Sequence, residues 1–256
     1  MLAGLYAGAL QDAELREKNL SRSRLESIVS DQTRSIDVLN ALAPSNHMKV
    51  LAEIKRASPS RGKLGDIEDP AALASVYQTA GASAISVLTE QRAFLGSLDD
   101  LAQVRAEVGL PLLRKDFIST EYQILEARAF GADMILLIVA GLPGARLVEL
   151  KAFAEQLGMQ VLVETHTDEE VRFAVDNGCA IVGINARDLS TFETDRSLFE
   201  TLCHLIPAQT IKIAESAVRT VEDVRQYRDA GANVVLVGEA LVTGDASELI
   251  RQFTSV

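Results

Sequence analysis

In this 256-residue chain, several apolar runs of strand length end in ionisable or amide side chains. Glu53-Ile54-Lys55 closes one run, Arg114-Lys115-Asp116 another, Val163-Glu164 a third and Ala214-Glu215-Ser216 a fourth; Asn185-Ala186-Arg187 and Gly238-Glu239 close two more. An unpaired carboxylate or ammonium is expensive to bury. Any one of these groups alone could be a solvated strand end. Glu53, Lys55, Lys115, Glu164 and Glu215 on a common rim read instead as groups that pair in one pocket and pass protons there as general acids and bases. Glu53 and Lys55 share a strand face by period two.

The elements that would hold them follow from an internal repeat. A small residue, Gly and a short strand recur as Ala80-Gly81-Ala82 before 84–88, Phe130-Gly131-Ala132 before 134–139, Asn177-Gly178-Cys179 before 181–184 and Ala230-Gly231-Ala232 before 234–237. Apolar runs at 50–54, 111–113, 160–163 and 211–214 lie midway, so eight strands are predicted. Helical periodicity of 3.6 residues fills the gaps at 69–79, 99–108, 121–130, 146–157, 168–176, 195–206, 221–229 and 246–253. Thr167 or Asp168, and Thr220, read as helix N-caps. The repeated glycines suit left-handed helix ends. Near-continuous apolar strands imply a parallel sheet buried on both faces. Eight units predict the α/β class and a (β/α)8 TIM barrel over the whole chain as a single domain, residues 1–46 forming an N-terminal helical extension. Helical patterns at 11–19 and 23–33 make that extension either a packed surface or a lid. An open doubly wound sheet would carry a Gly-rich phosphate loop, and neither GxGxxG nor GxxxxGK[ST] occurs.

Barrel active sites lie at the C-terminal ends of the strands, often with phosphate held by the loops after strands seven and eight. Ser216-Ala217 and Gly238-Glu239 stand at those places: Ser216 offers a hydroxyl, Gly238 permits close backbone approach, and Lys55 and Arg187 can supply positive charge. The net charge of −11 excludes a nucleic-acid or anionic-membrane footprint and steers anions poorly, so a phosphate needs local donors. The run 134–140 is too short to span a bilayer, and the mildly apolar start lacks the basic flank of a secretory signal. Cys179 and Cys203, without a CxxC or a His-rich neighbour, predict a reducing cytoplasm with no disulfide and no zinc site. His166 is expected in the loop after strand five rather than as the base, since Glu164 fills that role. Lys212 has the opposite parity to Glu215 and is expected to face the helices, which argues against a Schiff-base aldolase.

The run Glu53-Ile54-Lys55-Arg56-Ala57-Ser58-Pro59-Ser60 closely resembles the E-x-K-R-x-S-P-S signature of indole-3-glycerol-phosphate synthases. Matching segments follow in order: Ser86 to Glu90 with Phe94, Gly96 and Ser97; Leu113 to Phe117; Leu136 to Val139; Val163-Glu164; Gly183-Ile184-Asn185 with Arg187, Asp188 and Leu189; and Ala214 to Ser216. The likeness runs from about residue 48 to 245 and more loosely through the N-terminal helices. It implies a small-molecule phosphorylated substrate, a carboxyphenylamino-deoxyribulose phosphate, converted to indole-3-glycerol phosphate with loss of CO2 and water. By motif, Glu53, Lys55, Lys115, Glu164, Asn185, Glu215 and Ser216 are the catalytic positions. Lys55, Ser58, Arg187, Ser216, Gly238 and Glu239 are the phosphate positions. Phe94 and Phe117 either flank the substrate's aromatic ring or pack structurally. No metal and no cofactor is implied, and association with other tryptophan-pathway enzymes is left open.

Two positions depart from the family pattern: Ala217 where many members have glycine, and Glu239 where many have serine. A carboxylate repels phosphate, so the Glu239 backbone N–H is expected to bind while its side chain points away. In the implied mechanism Lys115 is the general acid at the substrate's C2 oxygen, its pKa drawn toward neutrality by partial desolvation against the opposing glutamates. Glu164 is the base, Glu53 and Lys55 share the dehydration, and Asn185 and Glu215 orient sugar hydroxyls and lysines. Other sugar-phosphate barrels, such as phosphoribosylanthranilate isomerases or epimerases, are the nearest alternatives; the former usually work with a cysteine–aspartate pair, and no cysteine ends strand one. A non-catalytic phosphate-binding barrel is a further alternative.

Overall fold

Every predicted strand forms. The computed structural model, which describes residues 2–188 and 193–256, has β1 Lys49–Ile54, β2 Ala84–Leu88, β3 Leu112–Lys115, β4 Met134–Ile138, β5 Gln160–Thr165, β6 Ile181–Asn185, β7 Ile211–Glu215 and β8 Val234–Val237. Each pairs in parallel with its neighbours in chain order, and β8 returns to β1, which closes the barrel. The ladder runs past the last apolar residue of several strands. Lys115 pairs opposite Leu88, Glu164 opposite Gly183, and Asn185 opposite Glu215. These polar side chains therefore sit on rigid sheet rather than on loops. Leu189, one of the motif matches, lies outside the described residues.

Parity decides which of them point inward. Leu51, Leu113, Leu136, Leu162, Ile181, Ile213 and Leu236 pack together inside the barrel. Two residues further along the same strand faces come Glu53, Lys115, Ile138, Glu164, Gly183, Glu215 and Gly238, the top of the interior. The opposite parity, with Val50, Ile85, Val163, Val182 and Val235, packs under the helices. Lys212 belongs to this outer set and donates to the Cys203 carbonyl at 3.3 Å, as its parity predicts.

Twelve helices surround the sheet among the described residues. Before the barrel come α1 Leu2–Glu17, α2 Arg22–Ser30 and α3 Val38–Leu42; then α4 Pro70–Ala80, α5 Leu98–Glu107, α6 Glu121–Ala129, α7 Gly144–Gln156, α8 Asp168–Asp176, α9 Ser197–Cys203, α10 Val221–Asp229, α11 Glu239–Thr243 and α12 Ala246–Thr254. Thr167 and Thr220 cap α8 and α10, each accepting from a backbone N–H three residues on. Gly81, Gly131, Gly178 and Gly231 all take the left-handed conformation after their helices. Helix α9 is shorter than the predicted 195–206, because Asp195 turns its carboxylate onto the Ser197 N–H and hydroxyl (2.9 and 2.6 Å). A two-stranded hairpin, Ala57–Ser58 with Gly62–Lys63, follows β1 and was not foreseen; its strands are too short for periodicity.

The N-terminal extension docks on both ends of the barrel. Val38 and Leu42 join the interior cluster, while Tyr6 stacks edge-on against Phe117 with ring centroids 5.5 Å apart. Helix α1 begins at Leu2, well before the predicted residue 11, because its apolar first turns pack over the mouth. Arg16 fixes the other end of α1 by pairing with both oxygens of Glu126 (2.5 and 2.9 Å).

Candidate active site

A cavity of about 420 Å³ opens at the C-terminal ends of the strands. All the site residues predicted from sequence line it: Glu53, Lys55, Ser58, Phe94, Lys115, Phe117, Glu164, Asn185, Arg187, Glu215, Ser216, Gly238 and Glu239. Its size suits a small organic phosphate.

The inward groups form one connected network. Lys115 Nζ donates to Glu215 Oε2 at 2.6 Å and to Glu164 Oε2 at 3.4 Å. Asn185 Nδ2 donates to Glu164 Oε1 at 3.1 Å, and Asn185 Oδ1 accepts from the Ser216 hydroxyl at 2.7 Å and from the Arg187 backbone N–H at 3.0 Å. Glu53 pairs with Lys55 at 2.6 Å. Glu53, Glu164 and Glu215 are almost wholly buried, so each interaction acts in a low-dielectric setting.

Burial alone would lower the Lys115 pKa, as the sequence reading expected. The structure overturns that expectation. Glu215, Glu164 and Glu53 together outweigh desolvation and hold the ammonium above its ordinary value. Lys115 is a firm cation. The two carboxylates beside it are pushed apart. Burial and the like charge of Glu164 raise Glu215 to about 8. Burial also pushes Glu164 upward, but Lys115, His166 and the Asn185 amide prevail and keep it below the usual carboxylate range. By distance alone Lys115 would favour ionised Glu215. The fuller partner set reverses that preference: Glu164 has three favourable neighbours, whereas Glu215 Oε1 is buried without a hydrogen bond among the described residues. One carboxylate is thus ionised while its neighbour holds a proton, the split that lets one serve as base and the other as acid.

Two glycines make room for this cluster. A Cβ at Gly183 would collide with Glu215 Oε1, and one at Gly238 would stand 2.5 Å from Glu53 Oε1 and 3.1 Å from Lys55 Nζ. Gly183 stands in the family motif Gly183-Ile184-Asn185 without a role of its own, and its position inside an otherwise apolar strand is the signal for one.

The cavity is also lined by cations and hydroxyls, among them Lys55, Arg187, Ser58 and Ser216. Arg187 Nη1 donates to the Ser60 hydroxyl at 3.2 Å, linking the β6 and β1 loops. After β7 the chain turns through Ser216 (φ 70°) and Ala217 (φ 61°), and Ala217, Val218 and Arg219 all face the cavity. Left-handed backbone at a non-glycine costs on the order of 1–3 kcal/mol, so this loop is held under strain. Glu239 is among the residues lining the cavity, and its carboxylate pairs with Arg61 (3.2 Å) and Arg219 (3.6 Å). Neither arginine was legible as a site residue, since both lie in short loops without periodicity.

Behind Lys115, a wholly buried Arg114 donates to Thr89 Oγ1, the Gln123 carbonyl, Asp116 and Glu126 (3.0, 2.6, 2.9 and 3.3 Å). This cluster continues to Arg16 of α1 and clamps the strand that presents Lys115. Phe94 and Phe117 face each other at 6.1 Å, forming one wall with Leu2 and Leu5 of α1. No helix among the described residues is long and apolar enough to cross a membrane.

A closed parallel barrel whose mouth gathers a lysine, buried carboxylates, arginines and hydroxyls has the architecture of a (β/α)8-barrel enzyme equipped for acid–base chemistry. Solved structures agree on the fold. An N-acetylmannosamine-6-phosphate 2-epimerase from Clostridium perfringens superposes with a TM-score of 0.63 at 16% identity, covering 88% of this chain and 98% of its own. A thiamine phosphate pyrophosphorylase from Pyrococcus furiosus gives 0.61 at 13%, covering 86% and 96%. Both likenesses show the architecture alone. The family profile "Indole-3-glycerol phosphate synthase" matches residues 2–253. Relatives carrying that name are 56% identical in Leifsonia xyli subsp. xyli (100% of this chain, 98% of the relative) and 52% identical in Paenarthrobacter aurescens (99% and 95%). The chain belongs to the indole-3-glycerol phosphate synthase family, a family of carboxy-lyases in tryptophan biosynthesis.

Proposed function

We propose that this protein closes the indole ring of 1-(2-carboxyphenylamino)-1-deoxyribulose 5-phosphate, releasing CO2 and water to give indole-3-glycerol phosphate. The observation that carries the reading is Lys115 Nζ lying 2.6 Å from Glu215 and 3.4 Å from Glu164 in one cavity that Lys55, Arg187, Ser58 and Ser216 also line. In this scheme the ammonium of Lys115 protonates the C2 carbonyl oxygen as the carboxyl-bearing ring carbon forms the new C–C bond. Loss of CO2 returns the electron pair to the ring. Glu164, ionised, then takes a proton from the former C1 of the sugar, while the C2 hydroxyl leaves as water with a proton from the Glu53–Lys55 pair, forming the C=C bond of the pyrrole ring. Glu215 holds a proton beside Lys115 and restores it after each cycle. Asn185 fixes Glu164 and, through Ser216, the β7 loop.

The phosphate is assigned to Lys55, Ser58, Arg187, Ser216 and the backbone N–H groups at Gly238 and Glu239. Phe94 and Phe117 are assigned to the anthranilate ring, whose flat apolar face matches the wall they form. The cytoplasm is the compartment assigned, supported by two buried free cysteines. Mixing the full chain with the carboxyphenylamino substrate should produce growing indole fluorescence, with Lys115→Ala as the control. Substrate that binds without any fluorescence gain would reject the assignment in favour of a non-catalytic barrel.

A further inference from the structure

His166 lies just after β5, outside the cavity lining, and its ring is wedged between two carboxylates. Nε2 stands 3.5 Å from Glu164 Oε1, and Nδ1 stands 3.5 Å from Glu170 Oε2 on α8. Its backbone N–H also donates to Glu170 at 2.7 Å. The side chain is only 13% exposed, so these carboxylates act on it with little screening. Glu215 of β7 lies at longer range and, holding its proton, adds no full charge. Lys115 reaches Glu164 through the other oxygen, Oε2, so cations approach Glu164 at both of its oxygens. Among the described residues, Lys115 is the one cation paired with Glu215.

We infer that His166 is a positioning residue: as an imidazolium held between Glu164 and Glu170, it keeps Glu164 ionised as the base and leaves the proton shared by the two buried carboxyls on Glu215. This rests on the reading of Glu164 as base. The geometry explains why a histidine is needed. Lys115 is closer to Glu215 than to Glu164, and by itself would stabilise the charge on the wrong carboxylate. Asn185 contributes one dipole to Glu164, and His166 supplies the missing unit charge. Burial opposes that charge, and Glu170 and Glu164 outweigh it, so the imidazole pKa is raised.

The chain has three histidines, and an imidazole NMR titration in which the His166 signal is the one lost in His166→Gln reads this group directly. His166 should titrate above the ordinary imidazole value of about 6.5. Glu164→Gln should bring its midpoint down toward that value, and Glu215→Gln should move it much less. A His166 midpoint at or below the ordinary value, or one indifferent to Glu164→Gln, overturns the inference whether or not the protein turns over substrate. In the kinetic arm, His166→Gln should lose rate unevenly. The acid limb of kcat/KM moves to higher pH, so the loss at about pH 5.5 exceeds that at about pH 8 by roughly threefold or more. A uniform loss would reduce His166 to packing. If His166→Gln fails to fold, the titration of the otherwise native chain decides.

Discussion

Removing the Lys115 amine by Lys115→Ala tests the centre of the site most directly. A positioned general acid contributes about 10²–10⁴-fold, or roughly 3–5 kcal/mol of barrel chemistry, and kcat should fall by that amount. The structure also sets a stability cost. Lys115 is 14% exposed and pairs with two carboxylates that are nearly inaccessible. Breaking a buried pair by deleting one partner costs about 3–5 kcal/mol. The lower end applies here, because Glu215 already favours its protonated form and can stay neutral once the cation is gone. At about 2–4 °C per kcal/mol for a chain of this size, the melting point should drop by roughly 6–12 °C, leaving the variant folded at 25 °C. Kinetics by indole fluorescence, circular dichroism melting and competition by inorganic phosphate separate the effects. The phosphate groups lie on other loops, so its inhibition constant should change by less than about threefold. A folded variant turning over within tenfold of the parent would refute Lys115 as the acid. A large loss of phosphate affinity would place it in the anion cradle instead.

Glu215 carries a pH signature. Its folded pKa, about 8, exceeds the ordinary value of 4.5, so the folded state binds the extra proton between those values and stability falls as pH rises through that window. Glu215→Gln should remove that slope and gain stability relative to the parent toward pH 8; urea melts at several pH values check it, and an unchanged slope would contradict the assignment. Glu239→Gln should free Arg61 and Arg219 and remove a negative charge from the rim, lowering KM about 1.5- to 5-fold, the range of an exposed ion pair. A raised KM would instead make Glu239 a support for the arginines. Gly141→Ala would drive a methyl into the Tyr6 ring and displace α1 from the mouth; KM should rise while the barrel's melting point moves little, and an unchanged KM would exclude α1 from substrate contact.

Much of this protein was legible in its sequence because the determining signals are local. The glycines at 81, 131, 178 and 231 announce helix ends, period two assigns Glu53, Lys115, Glu164 and Glu215 to the barrel interior, and Lys212 to its outside. The family signature around Glu53 to Ser60 added the substrate class. What only the tertiary structure decided involves residues far apart in the chain. The protonation of Lys115 depends on Glu215, 100 residues away, and Glu164, 49 away. Desolvation could be foreseen from one buried strand, whereas the sum of three carboxylates acting over a few ångströms could not, and that sum reversed the sign. The pairing of Glu239 with Arg61 and Arg219, the clamp of Arg114 on Glu126 and Arg16, and the space that Gly183 leaves for Glu215 are of the same kind. Periodicity is written between neighbours along the chain; electrostatic balance and steric fit arise between neighbours in space, and barrel closure is what makes them neighbours.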